Sequence, residues 1–209
     1  SVHAFAADPG RGLFILGFLA VVVGGSLSLF ALRAPAVVSR GSFSFLSKDM
    51  FLLVNNVVLV VASITVLVGT LFPLFADILD LGKYSVGPPY FNSTFLPLLA
   101  VLLLVLPLGV LLRWKRTSTE YLGQVLKIVL PLTVLLALVF IALHRLPISI
   151  EALAALVLAA WMLASMLYDM WHKLRYADTV AKGFKRLSLS FYGMQLAHLG
   201  LIVSSVGIA

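Results

Sequence analysis

The sequence predicts an all-α fold: a polytopic bundle of about six membrane-spanning helices with its amino end on the periplasmic side. Three observations predict it. Of 209 residues, 62% are hydrophobic and 11% charged. The apolar residues gather into runs as long as a bilayer is thick. The basic residues collect in every second connection. A water-soluble globule of this size has too large an exterior to hide so much apolar surface, so lipid must be part of the solvent.

A hydrocarbon core of roughly 30 Å takes about 20 helical residues. Residues 12–32, 50–75 and 93–112 hold no charged side chain, and 122–143 holds Lys127 alone. The run 152–168 is shorter, and its flanks complete a span at 150–171. Residues 187–209 lack Asp, Glu, Lys and Arg but contain His198. Helices are required because lipid offers no partner to exposed backbone groups, and these runs lack the alternation of a barrel. Pro97, Pro107 and Pro131 fall inside spans and are expected to kink them. Asp8-Pro9 fits a cap followed by proline at the first helical position. In the connection 76–92, Gly87-Pro88-Pro89-Tyr90-Phe91-Asn92 is expected to run extended, with Asn92 or Ser93 capping the third span. The six spans are read as one transmembrane region, 1–209. With Ser1-Val2-His3 at one end and Gly207-Ile208-Ala209 at the other, the chain is expected to be a piece of a longer protein.

Connections after the first, third and fifth spans carry Arg33, Arg40, Lys48, Arg113, Lys115, Arg116, Lys173, Arg175, Lys182, Lys185 and Arg186, with Lys127 just inside the fourth span. The opposite side has Arg11, Lys83 and Arg145. This bias places the basic loops in the cytoplasm and the amino end outside, a multi-pass arrangement in a bacterial inner membrane. It also accounts for the net charge of +7 as loop charge, so no nucleic-acid partner is expected.

Chemistry narrows to the histidines. There is no cysteine, hence no disulfide or thiolate site, and no phosphate loop, zinc helix or nucleophile elbow. His198 sits within Gly193-Met194-Gln195-Leu196-Ala197-His198-Leu199-Gly200. An ionisable group at membrane depth is costly and marks a functional site by default. Gly193, Ala197 and Gly200 share one helix face, which admits either a flat macrocycle or a closely packed second helix. His3 lies above the outer surface near Phe5, Asp8 and Arg11. That neighbourhood is an interfacial loop in the plain reading. In the functional one, an imidazole meets haem iron while Arg11 holds a propionate with its planar fork. His144 and His172 read as interfacial residues, Trp114, Trp161 and Trp171 as belt or packing residues, and Asn55 and Asn56 as interhelical hydrogen-bonding groups.

The wording of the chain adds more. Ser1-Val2-His3-Ala4-Phe5-Ala6-Ala7-Asp8-Pro9-Gly10-Arg11-Gly12 is followed in order by Leu53-Val54-Asn55-Asn56 and Val68-Gly69-Thr70-Leu71-Phe72-Pro73-Leu74. Then come Gly87-Pro88-Pro89-Tyr90-Phe91-Asn92, Ala197-His198-Leu199-Gly200 and Val206-Gly207-Ile208-Ala209. This ordered set resembles the CcmF family of haem-handling membrane proteins, the haem lyase of cytochrome c maturation. The resemblance implies that His198 is one of two transmembrane histidines holding a resident haem b. It implies that His3 is the second of two periplasmic histidines that ligate the haem being transferred as substrate. The other histidine of each pair and the family's tryptophan-rich segment are outside these residues. Implied partners are a periplasmic haem chaperone, a thiol-holding subunit that presents apocytochrome c, and apocytochrome c itself. No acid, base or nucleophile is identified, and the chemistry rests on positioning and redox tuning; the alternative that six spans leave open is a membrane transporter or structural membrane subunit without haem.

Overall fold

The computed structural model describes residues 9–36, 44–144, 148–177 and 179–209. The expected cap at Asp8, and His3, Arg40 and Arg145, lie outside them. Among the described residues the secondary structure is all helical: α1 Pro9–Arg33, α2 Lys48–Ile78, α3 Pro88–Leu111, α4 Thr119–Leu143, α5 Ile150–Leu174, α6 Val180–Arg186 and α7 Leu189–Ile208, with a short 3-10 turn at Ala34–Ala36. Six of these, α6 being the exception, are long and apolar enough to cross a membrane. The protein is an all-α, multi-pass membrane protein.

The chain divides into two compact units, Ser1–Ser42 and Phe43–Ala209. In the first, α1 ends on Arg33, a cation at the negative end of the helix dipole. The second unit is built around α5, against which α3, α4 and α7 all pack, while α2 packs on α3. Lipid tails are as apolar as leucine, so helices associate here through close contact and hydrogen bonds. The sequence of α5 supplies both. Ala159, Ala160, Ala164 and Ser165 are fully buried and let neighbouring backbones approach. Trp161, 7% exposed, donates from Nε1 to the Leu104 carbonyl of α3 at 3.1 Å. That acceptor lies one residue on from the Leu103 carbonyl, which Pro107 leaves without its helical donor. Two apolar clusters fill the seams. One joins Leu111, Val125, Val129, Trp161, Ala164 and Tyr168; the other joins Leu103, Ala159, Met162, Met166 and Ile202.

Serine and threonine begin most of these helices. Ser118, Ser149, Thr179 and Ser188 each accept a backbone N–H three residues on, at the starts of α4, α5, α6 and α7. At α2 the Met50 N–H donates to Ser47 Oγ at 3.2 Å. Helix α2 ends where Asp80 and Gly82 take positive φ angles of 54° and 111°, Asp80 being of a type that tolerates that region and Gly82 free of any Cβ clash.

The third span corrects one expectation. Pro88 and Pro89 do not hold an extended path; they occupy the first two positions of α3, with Gly87 ahead of them. A proline costs nothing there because the first N–H groups of a helix have no internal partner. Ser93 is accordingly inside the helix, its hydroxyl donating back to the Tyr90 carbonyl at 3.0 Å. Tyr90 is then aimed at α2, where its hydroxyl donates to the Thr65 carbonyl at 3.0 Å. Gly69, one turn along α2, makes room for that ring: a Cβ at this position would stand 2.5 Å from Tyr90 Cε1.

The segments flanking α2 and α4 at one end are tied together. Lys48 N–H donates to the Arg113 carbonyl at 2.8 Å and Thr117 N–H to the Leu46 carbonyl at 2.7 Å. Residues 44–48 and 112–118, both basic-side segments in the charge reading, therefore share one end of this unit.

Candidate transmembrane histidine site

His198 stands on α7, half-buried. Its Nδ1 lies 2.6 Å from the Met194 carbonyl, one turn back. A carbonyl oxygen only accepts, so Nδ1 carries a proton, and in the neutral ring Nε2 then holds the lone pair. Nε2 makes no hydrogen bond among the described residues. A histidine that ligates a metal or haem iron through one nitrogen usually donates from the other to a fixed acceptor, which sets its tautomer and ring plane. His198 has the second of these features, a ring nitrogen fixed on a backbone acceptor.

The face on which it stands is defined by burial. Successive helical residues turn by about 100°. Phe191, Gln195, Ile202 and Ser205, all buried, fall within about 60° of His198 and look toward α5. One flank of His198 is formed by Met194, Ala197, Leu201 and Ser204, of which Ala197 and Ser204 are exposed. Gly193 and Gly200 lie on the far side of the helix, about 140° and 160° away, and a Cβ at either would meet nothing within 4 Å. Ala197, about 100° round the helix, is the nearest of the three small residues to the imidazole. Spacing alone grouped the small residues correctly with one another, but it did not place them relative to the histidine.

Two side-chain contacts hold α7 to α5. Gln195 Nε2 donates to Asp169 Oδ2 at 3.5 Å, and the same oxygen accepts from Lys173 Nζ at 2.9 Å. Lys173 Nζ also lies 3.9 Å from the centre of the Phe191 ring. Toward the other end of α7, Ser205 and Ala209 help to line a cavity of about 640 Å³ between α3, α5 and α7, with Leu103, Ala155 and Leu158 opposite. Ser205 is two turns from His198 on the same face.

Other sequence-stated candidates fall as follows. Arg11 is in the first turn of α1, and His3 lies outside the described residues. Trp114 and Trp171 are exposed, as belt residues are, and Trp161 packs. His144 caps the end of α4, where its Nε2 is buried without a partner among the described residues, as is Asn55 Oδ1. The interhelical bond expected of Asn55 is therefore not made through that oxygen. His172 sits between Tyr168 and Tyr176, ring centres 5.9 and 6.1 Å away. Among the described residues no three His, Cys, Asp or Glu side chains form a metal cluster. Asp169 and Gln195 were not singled out from the sequence. Gln195 was legible one turn from His198, whereas its partner is 26 residues distant in the chain.

The chain is 49% identical over 208 residues to the cytochrome c-type biogenesis protein CcmF of Pseudomonas aeruginosa, covering all of this chain and 31% of that protein. It is 40% identical over 209 residues to CcmF of Escherichia coli, again across the whole chain and 31% of the relative. Both matches run the whole length of this chain. A protein named for cytochrome c-type biogenesis in Rhodobacter capsulatus is similar at 40% over 214 residues, covering 32% of it. The chain thus spans about a third of the length of these relatives. No protein-family model matches it, and no solved structure does.

Proposed function

We propose that this chain is the part of a cytochrome c haem lyase that supplies one axial ligand to a haem b within the membrane and one ligand to the haem handed over at the periplasmic face. The carrying observation is the His198 imidazole, whose Nδ1 is committed to the Met194 carbonyl at 2.6 Å, which leaves Nε2 with a free lone pair. The names of the relatives, all cytochrome c-type biogenesis proteins, give that lone pair its context. Neutral imidazole is a common axial haem ligand, so the residues fit one axial position.

In this reading His198 holds and orients the resident haem, which when bound supplies one-electron redox chemistry. The Met194 acceptor fixes the tautomer and the ring plane. Asp169, through Gln195, keeps α7 from rotating the imidazole away. At the outer face His3 takes the iron of the substrate haem and Arg11 meets a propionate. A periplasmic haem chaperone is the donor of that haem, and a thiol-holding subunit presents apocytochrome c, whose thiols add to the vinyl groups as thioethers. The chain's contribution is placement in the inner membrane, with no acid or base of its own.

The test replaces the matching third of the E. coli relative with this chain, in cells lacking their own copy. The purified chimera is expected to show a reduced b-type absorption that His198→Ala removes. His3→Ala is expected to stop cytochrome c assembly while leaving that absorption in place. A colourless chimera that still supports assembly would overturn the resident-haem assignment.

A further inference from the structure

The two connections tied together at the basic end of the second unit build more than a turn. Thr117 and Ser47 are buried beneath them, and the Arg113 N–H donates to Thr117 Oγ1 at 3.0 Å, closing the 113–117 loop on itself. With the Thr117–Leu46 and Lys48–Arg113 backbone bonds, this makes a fixed platform where α2 and α4 begin and α3 ends. A cavity of about 730 Å³ opens on it, lined by Ser44, Phe45, Arg113, Arg116, Ser118 and Glu120 among others.

Both guanidinium groups on this cavity are uncommitted to acids: among the described residues neither Arg113 nor Arg116 makes an ion pair, although Glu120 lines the same space. Arg113 is nonetheless held in place, its Cζ 4.3 Å from the centre of the Tyr121 ring. Beside them Phe45 is 84% exposed and Trp114 62% exposed, and Lys48 Nζ lies 5.3 Å from the Trp114 ring centre. A planar fork prefers a phosphate or carboxylate, and large rings flanking it at a helix end belong at the headgroup level of a bilayer.

We infer that this platform is a headgroup site for an anionic phospholipid, with Arg113 and Arg116 on the phosphate and Phe45 and Trp114 against the glycerol and upper acyl chains. The shared chemistry is that of any phosphate; the exposed rings and the position at the ends of three spans argue for a lipid, since a soluble phosphate has no use for them. Basic pockets between membrane helices on the cytoplasmic side bind such headgroups. The inference is independent of the haem reading, because neither arginine is part of the His198 site.

Native mass spectrometry of the whole chain in a nonionic detergent, offered equal amounts of phosphatidylglycerol and phosphatidylcholine, tests it. The phosphatidylglycerol adduct is expected to dominate by roughly threefold or more. Arg113→Gln with Arg116→Gln is expected to bring the ratio close to one. Lys185→Gln with Arg186→Gln, which removes two charges elsewhere on the basic side, is expected to keep it. Arg116→Gln alone, a change that touches no ring contact, should lower the ratio even where the double variant does not fold. A ratio near one in the unaltered chain overturns the inference. So does equal loss in the two double variants, which would make the preference diffuse charge. Displacement of phosphatidylglycerol by millimolar inorganic phosphate would reassign the site to a soluble anion and overturn the lipid assignment.

Discussion

Gln195 on α7 and Asp169 on α5 meet across 3.5 Å, amide nitrogen to carboxylate oxygen, on the side of α7 that also carries His198. Because α7 packs chiefly on α5, this contact and the Lys173–Phe191 pair act with the Ile202 cluster in setting how α7 is rotated. Asp169→Ala should speed hydrogen exchange in residues 189–198 by roughly fivefold, equivalent to about 1 kcal/mol, the usual net worth of one intramolecular hydrogen bond. Asp169→Asn, which still accepts from Gln195, should show less. Equal exchange in both variants and the parent would mean that packing alone sets the register of α7.

The glycine side of α7 and the histidine side make different predictions. Gly200→Leu adds bulk about 160° from His198, where nothing stands within 4 Å. It should leave the b-type absorption of the chimera unchanged. Ala197→Phe places bulk on the flank next to the imidazole and should reduce that absorption strongly. The reverse pattern would put the haem on the glycine face and detach it from His198.

Gly69→Val tests the α2–α3 seam. The new side chain would drive into the Tyr90 ring, which cannot retreat without losing its bond to the Thr65 carbonyl. Overpacking of this kind costs about 1–3 kcal/mol, read as a lower midpoint in thermal unfolding in detergent. Tyr90→Leu in the same background should recover part of the loss.

Sidedness is open to a clean measurement, because the sequence has no cysteine to remove first. Single cysteines at Phe45 and Lys115 should react from the same side of the membrane, since the Thr117–Leu46 bond holds their segments together. A cysteine at Tyr84 should react from the other. Labelling of all three from one side would undo the orientation drawn from the charge bias.

The spans were legible because a bilayer imposes one length on every helix that crosses it, and six apolar runs, one of them completed by its flanks, met that length. Their edges were not. Pro88 and Pro89 carry the same residue signal whether they end a loop or start a helix, and the choice fell to Tyr90 finding its acceptor on α2. The seven residues of α6 are too few to announce themselves by hydropathy and depend on the Thr179 cap. His198 was found at once, as a lone ionisable group in an apolar run. What its ring does with each nitrogen, and which side of α7 faces α5, are decided by Met194, Gln195 and Asp169 in three dimensions. His3 and Arg11 rest on the wording of the chain alone.

The stitched end and the loop opposite it differ in what they will bear. Between Gly82 and Ser85 the chain is exposed and irregular, tied down by the edge-on packing of Tyr84 against Phe72. A spliced-in affinity handle or fluorescent module at that point has no backbone bond to unpick. The same insertion at 114–116 would pull Thr117 off Leu46 and prise apart the roots of three spans at once.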